Sequence, residues 1–344
     1  MKKKVAIIGG GQMAEKIHIP YYRTREELEI VAVASPNRDR AGSFAERNGI
    51  PRFYTYVEEM LLAEKPDIVS VCTPNKFHYE NVLQALSHGC HVLCEKPPAI
   101  SAVQAKHMQE TAEKNGRILA YNFHHRFAED VQVMREKVAE GVLGDVYAVK
   151  VRALRRCGVP GWGNFTNKDM QGGGPLIDLG VHMLDAALYV LDYPKVEKVT
   201  AKMFQKIGRK KCHGSLGEWN PEKYEVEDSL FGFIELEGGA LLQLETSFAL
   251  NIKETSVMNV EFMGDEAGAV LYPAHIYTDE KGELSTILQR NEADPDRQQK
   301  AMTAFVDKCL DKEAMVADAR QGCLIQQLVE ALYQSAEKGE SISL

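Results

Sequence analysis

The sequence lacks long hydrophobic runs: no stretch of its 344 residues stays apolar over the roughly 18 residues of a membrane-spanning helix. The first residues, MKKKVAIIGGGQ, place positive charge before an apolar run, but glycines end that run at once. This run is too short for the apolar core of a signal peptide. We therefore expect a cytoplasmic protein without a membrane partner.

An excess of positive charge is also missing. The sequence has 41 Lys and Arg against 49 Asp and Glu, for a formal net charge of -8 at pH 7. This balance argues against broad attraction to nucleic acid, so no nucleic-acid partner is expected. Hydrophobic residues at 44% and charged residues at 26% are typical of a globular protein, and the length suffices for two domains.

Paired cysteines are absent as well. The seven cysteines are odd in number and form no Cys-x-x-Cys pair, so we expect reduced thiols. A zinc site is an alternative interpretation of HGCHVLCEK at 88–96, which combines histidine with cysteine. HVLC within it is typical of a buried strand, whose alternate side chains point to opposite faces, so we predict no metal site.

What the sequence does contain, over residues 1–123, is an alternation of short Val- and Ile-rich runs with helical patterns. Continuous apolar strands separated by helices favour a parallel sheet with helices on both faces. We therefore predict an α/β, doubly wound domain at 1–123. The predicted strands are 5–9, 28–34, 67–72, 91–94 and 117–121, and the predicted helices are 12–25, 38–48, 56–65, 77–88 and 101–115.

Residues 124–344 follow a different pattern, which predicts a second, α+β domain with a large, mainly antiparallel open sheet. Such a sheet has a face left to cover, so we expect a homodimer or homotetramer formed through it. The predicted elements are a helix at 128–140, strands at 145–156, 195–205, 228–249 (a hairpin turning at Glu-Gly-Gly) and 255–264, and two helices with a short strand at the end of the chain.

A glycine-rich loop follows the first predicted strand and opens a helix. Gly9, Gly11 and Ala14 form the pattern G-x-G-x-x-A, in which glycines permit a tight turn and the helix start offers free amides to a pyrophosphate. This context predicts a Rossmann dinucleotide site. Gln12 and Met13, in the same turn, are predicted to contact the cofactor.

The end of the second strand bears on which dinucleotide binds. An NAD-binding fold usually places an acidic residue there to hold the ribose hydroxyls, whereas this chain has Ser35. A serine does not repel a 2′-phosphate, and Arg38 could pair with one. We therefore prefer NADP over NAD, with Arg38 on a solvated helix face as the alternative.

The stretch GGGPLIDLGVHMLD at 172–185 combines glycines, a proline, carboxylates and an imidazole. If Pro175 opens a helix, Asp178 and His182 lie one turn apart on the same face. Asp178 could then orient His182 as a general base. A metal site that also uses Asp185, or a buried histidine satisfied by a carboxylate, would fit the same spacing.

Four motifs together resemble the glucose-fructose oxidoreductase and inositol dehydrogenase (Gfo/Idh/MocA) family. They are GGGQMA at 9–14, TPNKFH at 73–78, EKP at 95–97 and GGGPLIDLGVH at 172–182. The resemblance implies a Rossmann domain followed by an α/β domain whose open sheet commonly forms the subunit interface. It is strongest through about residue 190.

The resemblance also implies roles for individual residues. Lys96, Asp178 and His182 match the catalytic positions of the family. Ser35 departs from the acidic residue of many NAD-dependent members. The residues implied to line the cofactor are Thr73, Pro74, Asn75, His78, Glu95 and Lys96.

These residues suit the oxidation of a secondary alcohol. Hydride loss from a carbinol leaves a carbonyl, so a base such as His182 must remove the hydroxyl proton, while Lys96 stabilises charge on the oxygen. We predict an NAD(P)-dependent oxidoreductase acting on a sugar, inositol or related polyol. The alternatives are a redox-neutral sugar hydrolase or lyase that retains its NAD, and a non-catalytic sensor of dinucleotide and sugar.

Substrate contacts are harder to assign. Two segments rich in polar and aromatic residues, 121–127 and 152–174, flank the start of the second domain and lead into the catalytic helix. An aromatic ring could stack on a sugar face, and cations could meet hydroxyls or a phosphate. The predicted substrate residues are Asn122, Arg126, Arg156 and Trp162.

Overall fold

A computed structural model describes residues 2–291 and 294–344. The chain divides into two compact units, of which the first contains the residues through Phe123 together with Gln298–Gln326. The second contains His124–Arg297 and Gln327–Leu344. The division after Phe123 coincides with the predicted boundary, but the predicted domain 124–344 differs, because Gln298–Gln326 returns to the first unit.

The first unit is built on a six-stranded parallel sheet, which confirms the doubly wound prediction. The strand order is β3-β2-β1-β4-β5-β6, and neighbouring strands pair in parallel. Sequence patterns missed β3, which is short and half-exposed. The strands are β1 Lys3–Ile8, β2 Leu28–Ala34, β3 Arg52–Tyr54, β4 Ile68–Val71, β5 His91–Cys94 and β6 Leu119–Tyr121.

Helices connect these strands close to the predicted positions. The side chains of Asn37 and Ser101 cap two of them by accepting an amide hydrogen bond from the first turn, and Gly116 ends one in the left-handed region. A π-helical turn at Ala14–His18 precedes the first. The helices are α1 Ile19–Arg23, α2 Arg38–Arg47, α3 Val57–Glu64, α4 His78–Ser87 and α5 Ala102–Asn115.

The apolar face of a late helix explains why part of the C-terminal region belongs to the first unit. In α9, Arg297–Cys309, Met302, Phe305 and Val306 are buried in the cluster that contains Ile7 and Ile19. Spacing of three and four residues places these side chains on one helix face. The sequence shows that the helix is amphipathic but not which core it covers.

The second unit contains a nine-stranded mixed sheet of order β16-β15-β14-β13-β7-β12-β11-β8-β17. Among the described residues of this sheet, only β7 and β12 pair in parallel, so the prediction of a mainly antiparallel sheet is confirmed. The strands β14 to β16 were not predicted. The strands of this unit are β7 Val146–Arg155, β8 Val196–Phe204, β9 His213–Gly214, β10 Gly217–Glu218, β11 Ser229–Leu236, β12 Leu241–Ser247, β13 Ser256–Gly264, β14 Gly268–Val270, β15 His275–Glu280, β16 Glu283–Gln289 and β17 Ile342–Ser343.

The central helix of this unit is buried along its whole length: every residue of α8, Val181–Val190, is buried. It follows a π-helical turn at Leu176–Gly180. A Cβ on Gly180 would meet the Thr246 side chain at 2.5 Å, so the absence of a side chain permits close packing on β12. The remaining helices are α6 Glu129–Ala139, α7 Lys168–Gln171 and α10 Ala319–Lys338. Among residues 2–291 and 294–344, no helix is both long and apolar enough to cross a membrane.

Candidate active site

The glycine loop after β1 has the backbone geometry that its sequence predicts. Gly9 has φ of +99°, and a Cβ there would meet the Cys72 carbonyl oxygen at 2.7 Å, so only glycine fits. At Gly11, a Cβ would find one atom within 4 Å, Cys72 O at 3.8 Å. The loop therefore leaves room beside the amides that start the following helix, which fits a pyrophosphate group.

Ser35 and Arg38, the predicted cofactor residues, follow β2, which is the neighbour of β1 in the sheet. Ser35 is half-buried and its amide donates to Tyr54 O at 3.0 Å. Arg38 is exposed at the start of α2, with its guanidinium 5.8 Å from the centre of the Phe53 ring. Gln12 and Met13 are exposed at the helix start. These positions are compatible with the predicted contacts.

His78, predicted to touch the cofactor, has a different place. It is fully buried, with Nδ1 2.8 Å from Pro97 O and Nε2 2.9 Å from Thr73 O. The imidazole therefore connects the loop after β4 to the turn after β5. These contacts shape the loop, whose exposed or half-buried residues Pro74 and Asn75 are candidate cofactor contacts, and a contact of His78 itself with the cofactor stays a prediction.

Lys96 lies in the turn that directly follows β5. It is half-buried, and the Lys96–Pro97 peptide bond is cis. The preceding Glu95 is buried, at 7% exposure, and accepts hydrogen bonds from His18 Nε2 and Asn122 Nδ2, both at 2.8 Å. These contacts position the start of the Lys96 turn, and a contact of Glu95 with the cofactor stays a prediction.

Asn122, predicted to bind substrate, is buried in the interior of the first unit. Its side chain is fully buried and donates to Glu95. A side chain that is 0% exposed offers no surface to a sugar. The spacing of residues 121–127 did not reveal this because the partner lies 27 residues earlier in the chain.

A buried polar chain continues from Glu95 through His18, which the sequence analysis did not identify. His18 Nδ1 lies 3.0 Å from Ser70 Oγ, which lies 2.6 Å from Tyr22 OH. Burial lowers the pKa of His18, but Cys72 and the Glu95 carboxylate outweigh it and raise that pKa to about 10. Burial raises the pKa of the Cys72 thiol, whereas hydrogen bonds from His18 and Asn122 outweigh burial and lower the pKa of Glu95.

In the second unit, close contacts explain the glycines of the GGGP motif. A Cβ on Gly173 would meet Tyr333 OH at 2.1 Å, and one on Gly174 would meet Glu227 O at 2.7 Å. Pro175 then opens the helix as predicted. The motif thus allows the backbone to pass between two fixed groups before the helix that carries Asp178 and His182.

Asp178 and His182 lie on this helix, and a pairing between them stays a prediction. Asp178 is half-buried, and its charge favours the protonated form of Arg155, whose pKa burial lowers. His182 is 7% exposed. Its ring centroid lies 4.9 Å from that of His124 and 5.1 Å from that of His125. Sequence spacing missed His124 as a neighbour.

These three imidazoles form a group whose spacing could hold a metal ion, with candidate ligand atoms within 4.8 Å of one another. A hydrogen bond argues against that use. Arg297 Nε donates to His124 Nδ1 at 3.1 Å, which leaves the ring proton of neutral His124 on Nε2. Neither nitrogen of His124 then offers a lone pair without breaking this bond, so the expectation of no metal site stays a prediction.

Asp185 and Arg126 form a buried ion pair, and both residues are 0% exposed. Arg126 Nε donates to Asp185 Oδ2 at 3.0 Å, and Tyr193 OH donates to Oδ1 at 2.7 Å. The guanidinium of Arg126 is fully enclosed by this pair, so the geometry gives the predicted substrate contact no support. Both carboxylate oxygens of Asp185 already accept hydrogen bonds, so the geometry does not favour Asp185 as a metal ligand.

Arg156 and Trp162 remain accessible. Arg156 is exposed and its Nη1 donates to Lys253 O at 2.9 Å. Trp162 is 45% exposed, and its ring centroid lies 6.3 Å from that of Phe165 in an edge-on arrangement. Both side chains keep surface that a ligand could use.

The fold and these residues define the class of protein: an NAD-binding oxidoreductase. Residues 3–123 match an oxidoreductase family with an NAD-binding Rossmann fold. Residues 135–344 match the C-terminal alpha/beta domain of the same family. The chain belongs to the Gfo/Idh/MocA oxidoreductase family, which confirms the resemblance.

Similar proteins include enzymes named for sugars. The chain is 59% identical over 341 residues to the D-glucoside 3-dehydrogenase of Escherichia coli K12, covering 99% of this chain and 97% of that protein. It is 35% identical over 207 residues to the glucose-6-phosphate 3-dehydrogenase of Bacillus subtilis, covering 58% and 57%. A structure from gentamicin A biosynthesis in complex with NAD is 25% identical, with a TM-score of 0.80 over 100% of this chain and 96% of that one.

Proposed function

We propose that this protein is a dehydrogenase that oxidises the C3 hydroxyl of a D-glucoside to a ketone. The observation that carries this proposal is the 59% identity to a D-glucoside 3-dehydrogenase over 99% of the chain. A second relative, at 35% identity, is also named as a 3-dehydrogenase of a glucose derivative. The shared position of oxidation favours C3 over the other secondary hydroxyls.

His182 is the proposed general base. Its place on a fully buried helix fixes the ring, and an imidazole nitrogen can accept the hydroxyl proton of a bound sugar. The base takes the hydroxyl proton as the C3–H bond breaks. When bound, the nicotinamide ring accepts the hydride and so supplies the redox chemistry.

Lys96 and Asp178 are proposed to support this step. The Lys96 ammonium donates a hydrogen bond to the oxygen that becomes the carbonyl, which stabilises the negative charge that develops there. Asp178 contributes a carboxylate on the same helix as His182, balanced by the cationic Arg155. In the reverse direction the same groups return the proton.

We propose NADP as the preferred cofactor, with Thr73, Pro74, Asn75 and the glycine loop among its contacts. Support comes from Ser35, which carries no charge to repel a 2′-phosphate, and from the exposed guanidinium of Arg38 at the start of α2. NAD is the alternative, because the gentamicin-pathway relative was crystallised with NAD.

We also propose that the protein forms a homo-oligomer through the open sheet and that it is cytoplasmic. Phe204, Phe233 and Leu241 are 41%, 49% and 39% exposed. The strand register places all three on one sheet face, and apolar surface of this kind favours association. The seven cysteines are free thiols, as expected in a reducing compartment. Light scattering after size exclusion would measure the oligomer size.

The test of the activity is turnover by the purified protein with alkyl and aryl D-glucosides and either oxidised nucleotide. Reduced nicotinamide should accumulate, and NMR of the product should place the carbonyl at C3. Accumulation with the carbonyl at another carbon would overturn the C3 assignment. Tight nucleotide binding without net reduction on any glucoside would instead favour the redox-neutral alternative.

A further inference from the structure

A buried carboxylate lies at the start of the helix that carries Asp178 and His182. Glu227, which directly precedes Asp228 and β11, is 6% exposed. Its Oε2 accepts the Gly174 amide at 2.9 Å and its Oε1 accepts the Leu176 amide at 3.3 Å. Leu176 is the first residue of the helical segment and Gly174 immediately precedes its N-cap, Pro175, and amides at a helix start lack acceptors within the helix.

Tyr333, on α10, holds the same carboxylate from the other side. Its hydroxyl donates to Glu227 Oε1 at 2.8 Å. The two groups also enclose the GGGP segment at 172–175, because a side chain at Gly173 would strike the Tyr333 hydroxyl and one at Gly174 would strike Glu227. The GGGP segment, the Glu227 carboxylate and the Tyr333 phenol are therefore packed against one another at the start of the helix.

We propose that Glu227 and Tyr333 are positioning residues of the reaction: their contact fixes the first turn of the helix and thereby the place of His182. The negative charge also interacts favourably with the positive end of the helix dipole. This inference rests on the proposed role of His182. It assigns no contact with substrate to Glu227 or Tyr333.

The protonation state of Glu227 makes the contact sensitive to pH. Burial raises the pKa of Glu227, and hydrogen bonds from Tyr333, Leu176 and Gly174 oppose the rise. The other titratable groups near it are Asp228 and Tyr224, whose hydroxyl donates to Glu227 O at 3.3 Å. Because Tyr333 helps to keep the carboxylate ionised, its removal should move protonation of Glu227 to higher pH.

The test compares Y333F and E227Q with a matched control, E225Q. Glu225 is an exposed carboxylate that accepts the Lys168 amide at 3.0 Å and so caps the short helix α7. We expect kcat to fall about ten- to a hundredfold in Y333F and E227Q, since small displacements of a catalytic group are costly. Nucleotide affinity should stay unchanged, and E225Q should match the native protein.

The pH profile separates positioning from a general loss of stability. In Y333F the fall of kcat at low pH should begin at a higher pH. In E227Q the part of this fall that is caused by protonation of Glu227 should disappear. Variants that melt earlier but keep native kcat and pH profile would overturn the inference. Such a result would leave Glu227 with a role in stability alone.

Amide hydrogen exchange gives a readout that does not depend on turnover. In the full-length protein, E227Q should speed exchange over residues 174–182, and E225Q should leave that segment as in the native protein. Unchanged exchange in E227Q would overturn the inference even if the enzyme is active. If the native protein oxidises no glucoside, the proposed function fails, and the exchange measurement still decides whether Glu227 fixes this helix.

Discussion

His18 Nε2 lies 2.8 Å from Glu95 Oε1 in the interior of the first unit. His18 ends the π-helical turn that follows the glycine loop, and Glu95 immediately precedes Lys96. The pair therefore ties the helix of the dinucleotide loop to the turn that presents the proposed catalytic lysine. A buried pair of this kind fixes geometry through two hydrogen-bonded charges.

This pair should stabilise the protein in a defined pH window. The pKa of His18 is raised from 6.5 to about 10, so its contribution is complete below pH 6.5 and is lost as pH rises toward 10. Glu95 has its pKa lowered from 4.5, so its contribution is present above that value and is lost in acid. Chemical denaturation measures the free energy of unfolding of the native protein and of the H18N/E95Q variant. The native protein should exceed the variant by the largest amount at about pH 4.5 to 6.5, between the two ordinary pKa values. An advantage that grows from pH 6 to pH 10 would contradict this account.

Removing one partner of the Arg126–Asp185 pair should be strongly destabilising. D185N leaves a fully buried guanidinium without its counter-charge, and such changes cost about 3–5 kcal/mol. Urea denaturation measures the loss. E235Q, which breaks the exposed Lys198–Glu235 pair, is the control and should change the free energy of unfolding by less than about 1 kcal/mol. Equal losses in the two variants would show that burial does not set the cost.

Replacing the proposed catalytic groups should affect turnover more than binding. H182N removes the base and should lower kcat about 10²- to 10⁴-fold, and K96M should also lower kcat. Steady-state kinetics and nucleotide titration separate the two effects. H213N, at an exposed histidine on β9, is the control and should keep native kcat. Native kcat in H182N would remove His182 from the mechanism.

Cofactor preference should respond to Arg38. R38A should weaken NADPH binding about ten- to a hundredfold, the value of a lost charge-assisted hydrogen bond, and leave NADH binding unchanged. Calorimetric titration with both nucleotides measures this. Arg40 is an exposed residue of the same helix, so R40A is the matched control. A similar loss for both nucleotides in R38A would place the guanidinium away from the 2′-phosphate.

Much of the fold could be predicted because local patterns determine it. The runs that became β1, β2, β4, β5 and β6 are continuous and apolar, as expected for strands buried on both faces. The packing of α9 could not be predicted, since an amphipathic helix does not encode which of two cores it covers. The strand β14 was missed because it is only three residues long, and β16 was missed because its residues are largely exposed.

The candidate site was predictable where a motif lies within one local element. Gly9 and the Gly173-Gly174-Pro175 segment have conformations that their residue types require. Partners distant in sequence were not visible: the hydrogen-bond acceptors of Asn122 and Arg126, which are Glu95 and Asp185, lie 27 and 59 residues away. Residue spacing within one local element does not reveal such pairs.

Hydride transfer from C3 is the central claim, and isotopic labelling tests it most directly. The purified protein is given an alkyl D-glucoside deuterated at C3 together with NADP+, or NAD+ if NADP+ fails to bind. Mass spectrometry and NMR should find the deuterium at C4 of the reduced nicotinamide and a ketone at C3 of the sugar. Reduced nicotinamide without deuterium, or product that keeps its deuterium at C3, would contradict the account.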